Sequence, residues 1–314
     1  MKFAALVLAY KEPEMVNKLL EQLLHEFGED IRVFIHVSRG SEYMIETLLS
    51  HPQIEILPKH LGIDPKELKG NKKNIKLWAD DGLIKRMMYM FNYVQNKYNA
   101  DYYIVLSGQD LIVKKGIKQF FSDNRMKIFM DGGKDNANQG ARLLYKWPIV
   151  FFKNYHNKYH PLRILRRVLL LIYSTGIKIN RQKNADLFDN VDLYKNFYWM
   201  SLPAECVKYV IDYANNNPEV MEVYKNSICP EESFFSTTLA NQERFHDMFN
   251  WVQGTKNYKG ITYFKKFDTA FPMIEESDIE LIENSEVFFA KKFSVSYNEK
   301  LVNYFYKKIM EDER

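Results

Sequence analysis

The chain has 314 residues, of which 46% are apolar and 27% charged, with 44 Lys and Arg against 40 Asp and Glu for a formal net charge of +4. That balance supports a sizeable buried core, excludes disorder as the main state, and is too even to point to nucleic acid by itself. Two cysteines, Cys206 and Cys229, exclude a disulfide scaffold and a zinc site built only of thiolates.

The opening run from Phe3 to Tyr10 is continuously apolar and reads as a strand covered on both faces. It is short, lacks a basic leader, and is followed at once by Lys11-Glu12-Pro13-Glu14, so it is not read as a signal peptide. No apolar run approaches the roughly 18 residues of a spanning helix, and the expectation is a cytoplasmic protein. Pro13 opens a helix whose Met15, Val16, Leu19, Leu20 and Leu23 recur at helical spacing, and Gly28 ends it. Ile31 to Val37 is the second strand, Glu42 to Leu49 a short helix and Ile54 to Leu57 a short strand. Asp81 to Asn96 carries a helical apolar face, Tyr102 to Leu106 is another buried strand, and Lys114 to Ser122 is helical. This alternation predicts an α/β fold with a mainly parallel central sheet flanked by helices.

Residues 126 to 150, with Asp131-Gly132-Gly133-Lys134-Asp135-Asn136, read as a loop. Residues 151 to 185 carry Lys153, Lys158, Arg163, Arg166, Arg167, Lys178, Arg181 and Lys183 and no acidic residue. Within them, Leu162 to Tyr173 is a basic apolar segment too short to span a bilayer. It is read either as a core helix with arginines on an ordinary surface or as a peripheral contact with an anionic membrane face. A nucleic-acid role is disfavoured for want of any motif. Beyond it, Phe197 to Leu202 reads as a strand and Ala204 to Asn215 as a helix. Pro230 to Leu239 reads as a helix start with Glu231 and Glu232 in its first turn, and Asn298 to Met310 as an amphipathic helix.

Ligands on such sheets bind beyond the carboxyl ends of the strands. Those ends supply Ala9 and Tyr10, His36 and Ser38, and Gly108 and Asp110 as candidates for holding a nucleotide. No Gly-x-Gly-x-x-Gly or Walker loop follows any strand, so a dinucleotide or P-loop site loses its main support. No Asp-x-Asp stands at a strand end, and His156 and His160 lack the glutamate of a zincin pattern. Tyr198 and Trp199 suit an aromatic platform for a sugar acceptor, or equally the core.

Five stretches, in this order, resemble one family. They are Leu6-Val7-Leu8-Ala9-Tyr10-Lys11, Ile35-His36-Val37-Ser38, Tyr103-Ile104-Val105-Leu106-Ser107-Gly108-Gln109-Asp110, Pro230-Glu231-Glu232-Ser233-Phe234-Phe235 and Phe289-Ala290-Lys291-Lys292-Phe293. Trp78-Ala79-Asp80-Asp81-Gly82 is a looser match. Together they resemble the Core-2/I-branching family of glycosyltransferases, which includes β-1,6-N-acetylglucosaminyltransferases and xylosyltransferases. Residues 151 to 185 are not covered.

The resemblance implies a GT-A-like nucleotide-diphospho-sugar transferase fold over 1–314. A donor half would occupy 1–125, the loop and basic segment 126–185, and an acceptor and catalytic half 186–314. It implies inverting transfer from a UDP-sugar, N-acetylglucosamine by preference, to a glycan or lipid-linked glycan, with no metal. Xylose or galactose transfer, and a non-catalytic nucleotide- or glycan-binding protein, are the alternatives.

Glu232 is the expected general base, with Glu231 beside it still open. The resemblance assigns Lys292, rather than Lys291, to the departing diphosphate. Three departures stand out: Ser38 and Glu231 each replace an Asp, and the family's diphosphate-binding arginine is missing near Lys265 and Lys266. Either lysine would act there as a point charge without the guanidinium fork.

Overall fold

A computed structural model describes residues 1–61, 81–152, 159–252, 258–259, 261–264 and 273–311. Its central sheet has seven strands in the order β3-β2-β1-β4-β7-β6-β8. The strands are β1 (Phe3–Ala9), β2 (Ile31–Val37), β3 (Ile54–Ile56), β4 (Tyr102–Ser107), β6 (Ile128–Lys134), β7 (Tyr194–Pro203) and β8 (Phe249–Val252). β1, β2, β3 and β4 run parallel to one another, β7 is antiparallel to both β4 and β6, and β6 is parallel to β8. The expected α/β architecture with a mostly parallel sheet between helices is borne out.

The period of two in a strand explains the layers. Ala4 and Leu6 of β1 join a core built on α2 (Gly82–Lys97), α6 (Ala204–Asn216) and α8 (Phe234–Ala240). Phe3, Ala5, Val7 and Ala9 join the opposite core, against α1 (Pro13–Phe27) and α3 (Ile117–Asp123). A strand buried on both faces must be apolar throughout, as β1 is.

A second sheet of four strands has the order β5-β11-β10-β9, from β5 (Leu111–Ile112), β9 (Tyr258–Lys259), β10 (Thr262–Phe264) and β11 (Phe289–Lys291). It is backed by α9 (Ile279–Glu283) and by α10 (Val295–Met310), which kinks at Asn298. Gln22 of α1 ties the two sheets' supports together. Its amide nitrogen donates to the carbonyls of Ile112 and Phe305, and its amide oxygen accepts from the Ile112 N–H. The helix α7 (Pro218–Lys225) and the strands of the second sheet were not distinguished in the sequence.

The segment 126–150 departs most from its reading. It holds β6, with Ile128, Phe129 and Met130 buried, and α4 (Asn136–Leu143). Gly132 is there because another backbone lies against it. A Cβ on Gly132 would stand 1.7 Å from the Lys195 carbonyl oxygen, and Gly132 has φ of +135°. The register between β6 and β7 shifts at this point, so the glycine marks a bulge rather than a loop.

The basic apolar segment is a helix, α5 (Pro161–Ser174), seated on α4 through Leu162, Leu169, Leu170 and Tyr173. Tyr173 stacks flat on Tyr145 with ring centroids 4.1 Å apart. Among the described residues no helix is long and apolar enough to cross a membrane.

Candidate active site

The turn Ser107-Gly108-Gln109-Asp110 ends β4 and is locked from two sides. The Asp110 carboxylate accepts from the Ser107 hydroxyl at 2.8 Å and from the Ser107 N–H, closing the turn on itself. The Phe293 N–H donates to the Gln109 carbonyl at 2.9 Å, and the Gln109 amide returns a bond to the Phe293 carbonyl at 3.2 Å. Those bonds carry the end of β11 across to the end of β4. Gly108 is required by close approach: a Cβ there would lie 2.7 Å from Val16 Cγ2 and 3.6 Å from the Ala9 backbone.

β11 delivers two lysines in sequence. Lys291 is buried, its Nζ donating to Ser107 Oγ at 3.0 Å and lying 3.4 Å from an Asp110 oxygen, above the Trp199 ring. Burial pushes its amine down to about 7, with the Asp110 charge opposing that shift. Lys292 is partly buried, and its amine is also lowered, first by burial and then by the nearby Lys11 charge. Three amines, from Lys11, Lys291 and Lys292, therefore gather where β1, β4 and β11 end, with Asp110 among them.

Tyr10 reaches into the same region, its hydroxyl donating to Gln109 Oε1 at 3.1 Å while the ring stays partly exposed. Ser38 follows β2, and its N–H donates to the Ala9 carbonyl at 2.8 Å. His36 is fully buried, and its Nε2 accepts from the Leu61 N–H at 2.9 Å. Among the described residues its Nδ1 has no hydrogen-bond partner. Burial, with the Arg86 and His60 charges, lowers this imidazole to about 4. Ala9, Tyr10, His36, Ser38, Gly108 and Asp110 thus all stand at the carboxyl ends of β1, β2 and β4.

Glu232 is positioned differently from its reading. Pro230–Glu232 is a separate 3-10 turn, and Ser233 breaks the chain from α8. Two side-chain cations, rather than a helix N-terminus, face its carboxylate. Arg142 of α4 forms a short ion pair with Glu232, and Lys195 of β7 lies 3.9 Å away. Burial opposes the charge of Arg142, but Glu232, together with Cys229 and Glu231 beside it, holds the guanidinium above its usual range. Neither cation has a motif signature: Arg142 fell in the stretch read as a loop, and Lys195 preceded the expected strand.

β7 links the two clusters. Lys195 at its start meets Glu232, and Trp199 four residues on lies under Lys291. At about 3.3 Å per residue the two positions are at most about 13 Å apart along the strand. Trp199 is 7% exposed and so largely core in this state. Tyr198 lies in β7, but its side chain is outside the described residues, as are Lys265, Lys266, His156 and Trp78-Ala79-Asp80.

No family model matches the chain. It is 24% identical to a xylosyltransferase of Ciona intestinalis over 92% of its own length, and it spans only 32% of that protein. Core-mannan synthase A of Aspergillus fumigatus, solved in a Mn/GDP form, superposes with a TM-score of 0.36 at 11% identity, covering 82% of this chain and 75% of that one. Mouse xyloside xylosyltransferase 1, in its apo form, gives 0.38 at 9% identity, covering 80% and 85%.

The Mn/GDP form corrects the expectation that no metal is used. Among the described residues no three His, Cys, Asp or Glu side chains converge as metal ligands, and Asp110 already faces Lys291. Over nine-tenths of its length, the chain is similar to an enzyme of glycosyl transfer.

Proposed function

We propose that this chain moves a sugar from a UDP-sugar to a glycan hydroxyl, with inversion at the anomeric carbon. The observation that carries this reading is the pairing of a cation-flanked carboxylate, Glu232, with a group of amines at the ends of β1, β4 and β11. Such transfer needs a base on the acceptor side and positive charge on the leaving side.

In this reading Glu232 takes the proton of the acceptor hydroxyl. The acceptor oxygen bonds to the anomeric carbon from the face opposite the diphosphate, and the bond to the diphosphate oxygen breaks. The departing UDP keeps that electron pair, and Lys292, with Lys11 nearby, offsets the growing negative charge. Lys291 and Asp110 hold the turn that supports this end of the site. In this reading Tyr10 and Ser38 meet the nucleotide, the buried Ala9, His36 and Gly108 shape the strand ends behind them, and Tyr198 and Trp199 stand on the acceptor side, with Lys265 or Lys266 against the diphosphate.

The family resemblance makes N-acetylglucosamine the first donor. The name of the Ciona intestinalis relative favours xylose as the second. The acceptor in this reading is a glycan or lipid-linked glycan.

The test is UDP release across UDP-GlcNAc, UDP-xylose, UDP-Gal, UDP-GalNAc and UDP-Glc, each with manganese and with EDTA. Release from one donor, reduced about 10²- to 10⁴-fold in Glu232→Gln, is the expected result. Lys292→Ala should lose release while its melting temperature stays close to that of the parent. Release that survives in Glu232→Gln removes the base assignment. UDP binding by calorimetry with no turnover on any donor replaces the enzyme with a binding protein.

A further inference from the structure

The outer face of α5 is apolar where solvent should meet it. Ile164, Leu165, Val168, Leu171 and Ile172 are all exposed, Leu171 at 69%. At about 100° per residue these five positions fall within roughly 120° of one another on the helix. The opposite face, with Leu162, Leu169, Leu170 and Tyr173, is the one seated on α4. The exposed stripe is thus a second apolar face, additional to the one that packs.

One flank of the stripe is cationic. Exposed Arg167 stands beside it and half-buried Arg163 lies further round toward the packed face, where Arg166 donates to the Phe151 carbonyl at 2.9 Å. No Asp or Glu occurs from residue 151 to 185. A protein partner of ordinary composition would not call for a flank of one sign with no acidic residue near it in the chain. An apolar layer beneath a sheet of anionic headgroups does. The helix has 14 residues, about 21 Å, so it fits lying in the plane of a bilayer rather than across it.

We infer that α5 is a peripheral membrane-docking element. Ile164, Leu165, Val168, Leu171 and Ile172 enter the headgroup boundary of an anionic lipid surface, and Arg163 and Arg167 pair with its phosphates. The inference is independent of the transfer reaction, because binding is measured without turnover.

The experiment is flotation of the full chain with vesicles of phosphatidylcholine alone and of phosphatidylcholine mixed with phosphatidylglycerol. The chain should float with the anionic vesicles only. Arg163→Gln with Arg167→Gln should lower that partition about tenfold or more, and Leu171→Ser with Ile172→Ser should abolish it. Unchanged circular dichroism and melting temperature verify that both variants fold. No flotation with either vesicle, or flotation indifferent to both variants, overturns the inference. So does a concentration-dependent dimer, seen by light scattering, that Leu171→Ser with Ile172→Ser dissolves, since the face would then cover a second copy of this chain.

Discussion

Glu232 stands between Arg142 and Lys195, and that geometry makes Arg142 a positioning residue. Without its guanidinium the carboxylate keeps only the longer contact to Lys195 and can swing. Arg142→Met should lower kcat by up to about a hundredfold while KM for the donor stays near its parent value. A rise in donor KM with unchanged kcat would place Arg142 on the nucleotide instead. His36 carries a different prediction. Its folded imidazole titrates at about 4 against an ordinary 6.5, because it is buried beside Arg86 and His60. As pH falls below 6.5, the unfolded chain takes up a proton that the folded chain refuses, so stability declines until about pH 4. The loss is roughly 3 kcal/mol. Melting temperatures between pH 7 and 4 should fall less steeply in His36→Gln, whose amide oxygen still offers an acceptor to Leu61. Equal slopes in the two proteins would show that other groups carry the acid sensitivity.

Strands β6 and β7 show why local composition misleads at the element scale. Two glycines within a polar stretch look like a loop, yet the first lets the backbones of β6 and β7 touch. Gly132→Ala should cost more than about 2 kcal/mol, from strain at positive φ and a clash with the Lys195 carbonyl. Gly133 has nothing within 4 Å of an added Cβ, so Gly133→Ala should stay within about 0.5 kcal/mol. Denaturant midpoints of the two variants give the comparison. Because Lys195 sits at this bulge and also faces Glu232, Gly132→Ala should lose activity as well as stability. Equal stability in both variants would mean that the strands can separate there at little cost.

At the scale of the whole molecule, the candidate site depends on segments far apart in sequence. Lys291 meets Ser107 and Asp110 only because β11 is laid beside β5, and Gln22 joins that sheet to α1 and α10. Gln22 is fully buried. Gln22→Ala would strand the Ile112 N–H and carbonyl, at about 1–3 kcal/mol for each unsatisfied group, and would take from the Phe305 carbonyl, inside α10, its side-chain donor. Hydrogen exchange should quicken first in β5, β11 and α10. Uniform loss of protection across the central sheet would mean that the two sheets unfold as one unit.

The sequence by itself determined the elements with a strong local signal. β1 is a continuous apolar run and β4 is one as far as Leu106, β2 is apolar apart from Arg32 and His36, α1 and α2 have apolar residues at helical spacing, and their order implies the parallel sheet. The strand-end positions from Ala9 to Asp110 followed from that order, and the motifs carried Glu232 and Lys292 as candidates. Only the tertiary structure decided which cations stand beside Glu232, that Lys291 is the lysine buried against Asp110, and that α5 leaves one apolar face outward. These arise from packing between segments up to 184 residues apart. A residue's own neighbours in the chain carry no record of such contacts, since side-chain burial and charge pairing are set by whatever the fold brings alongside.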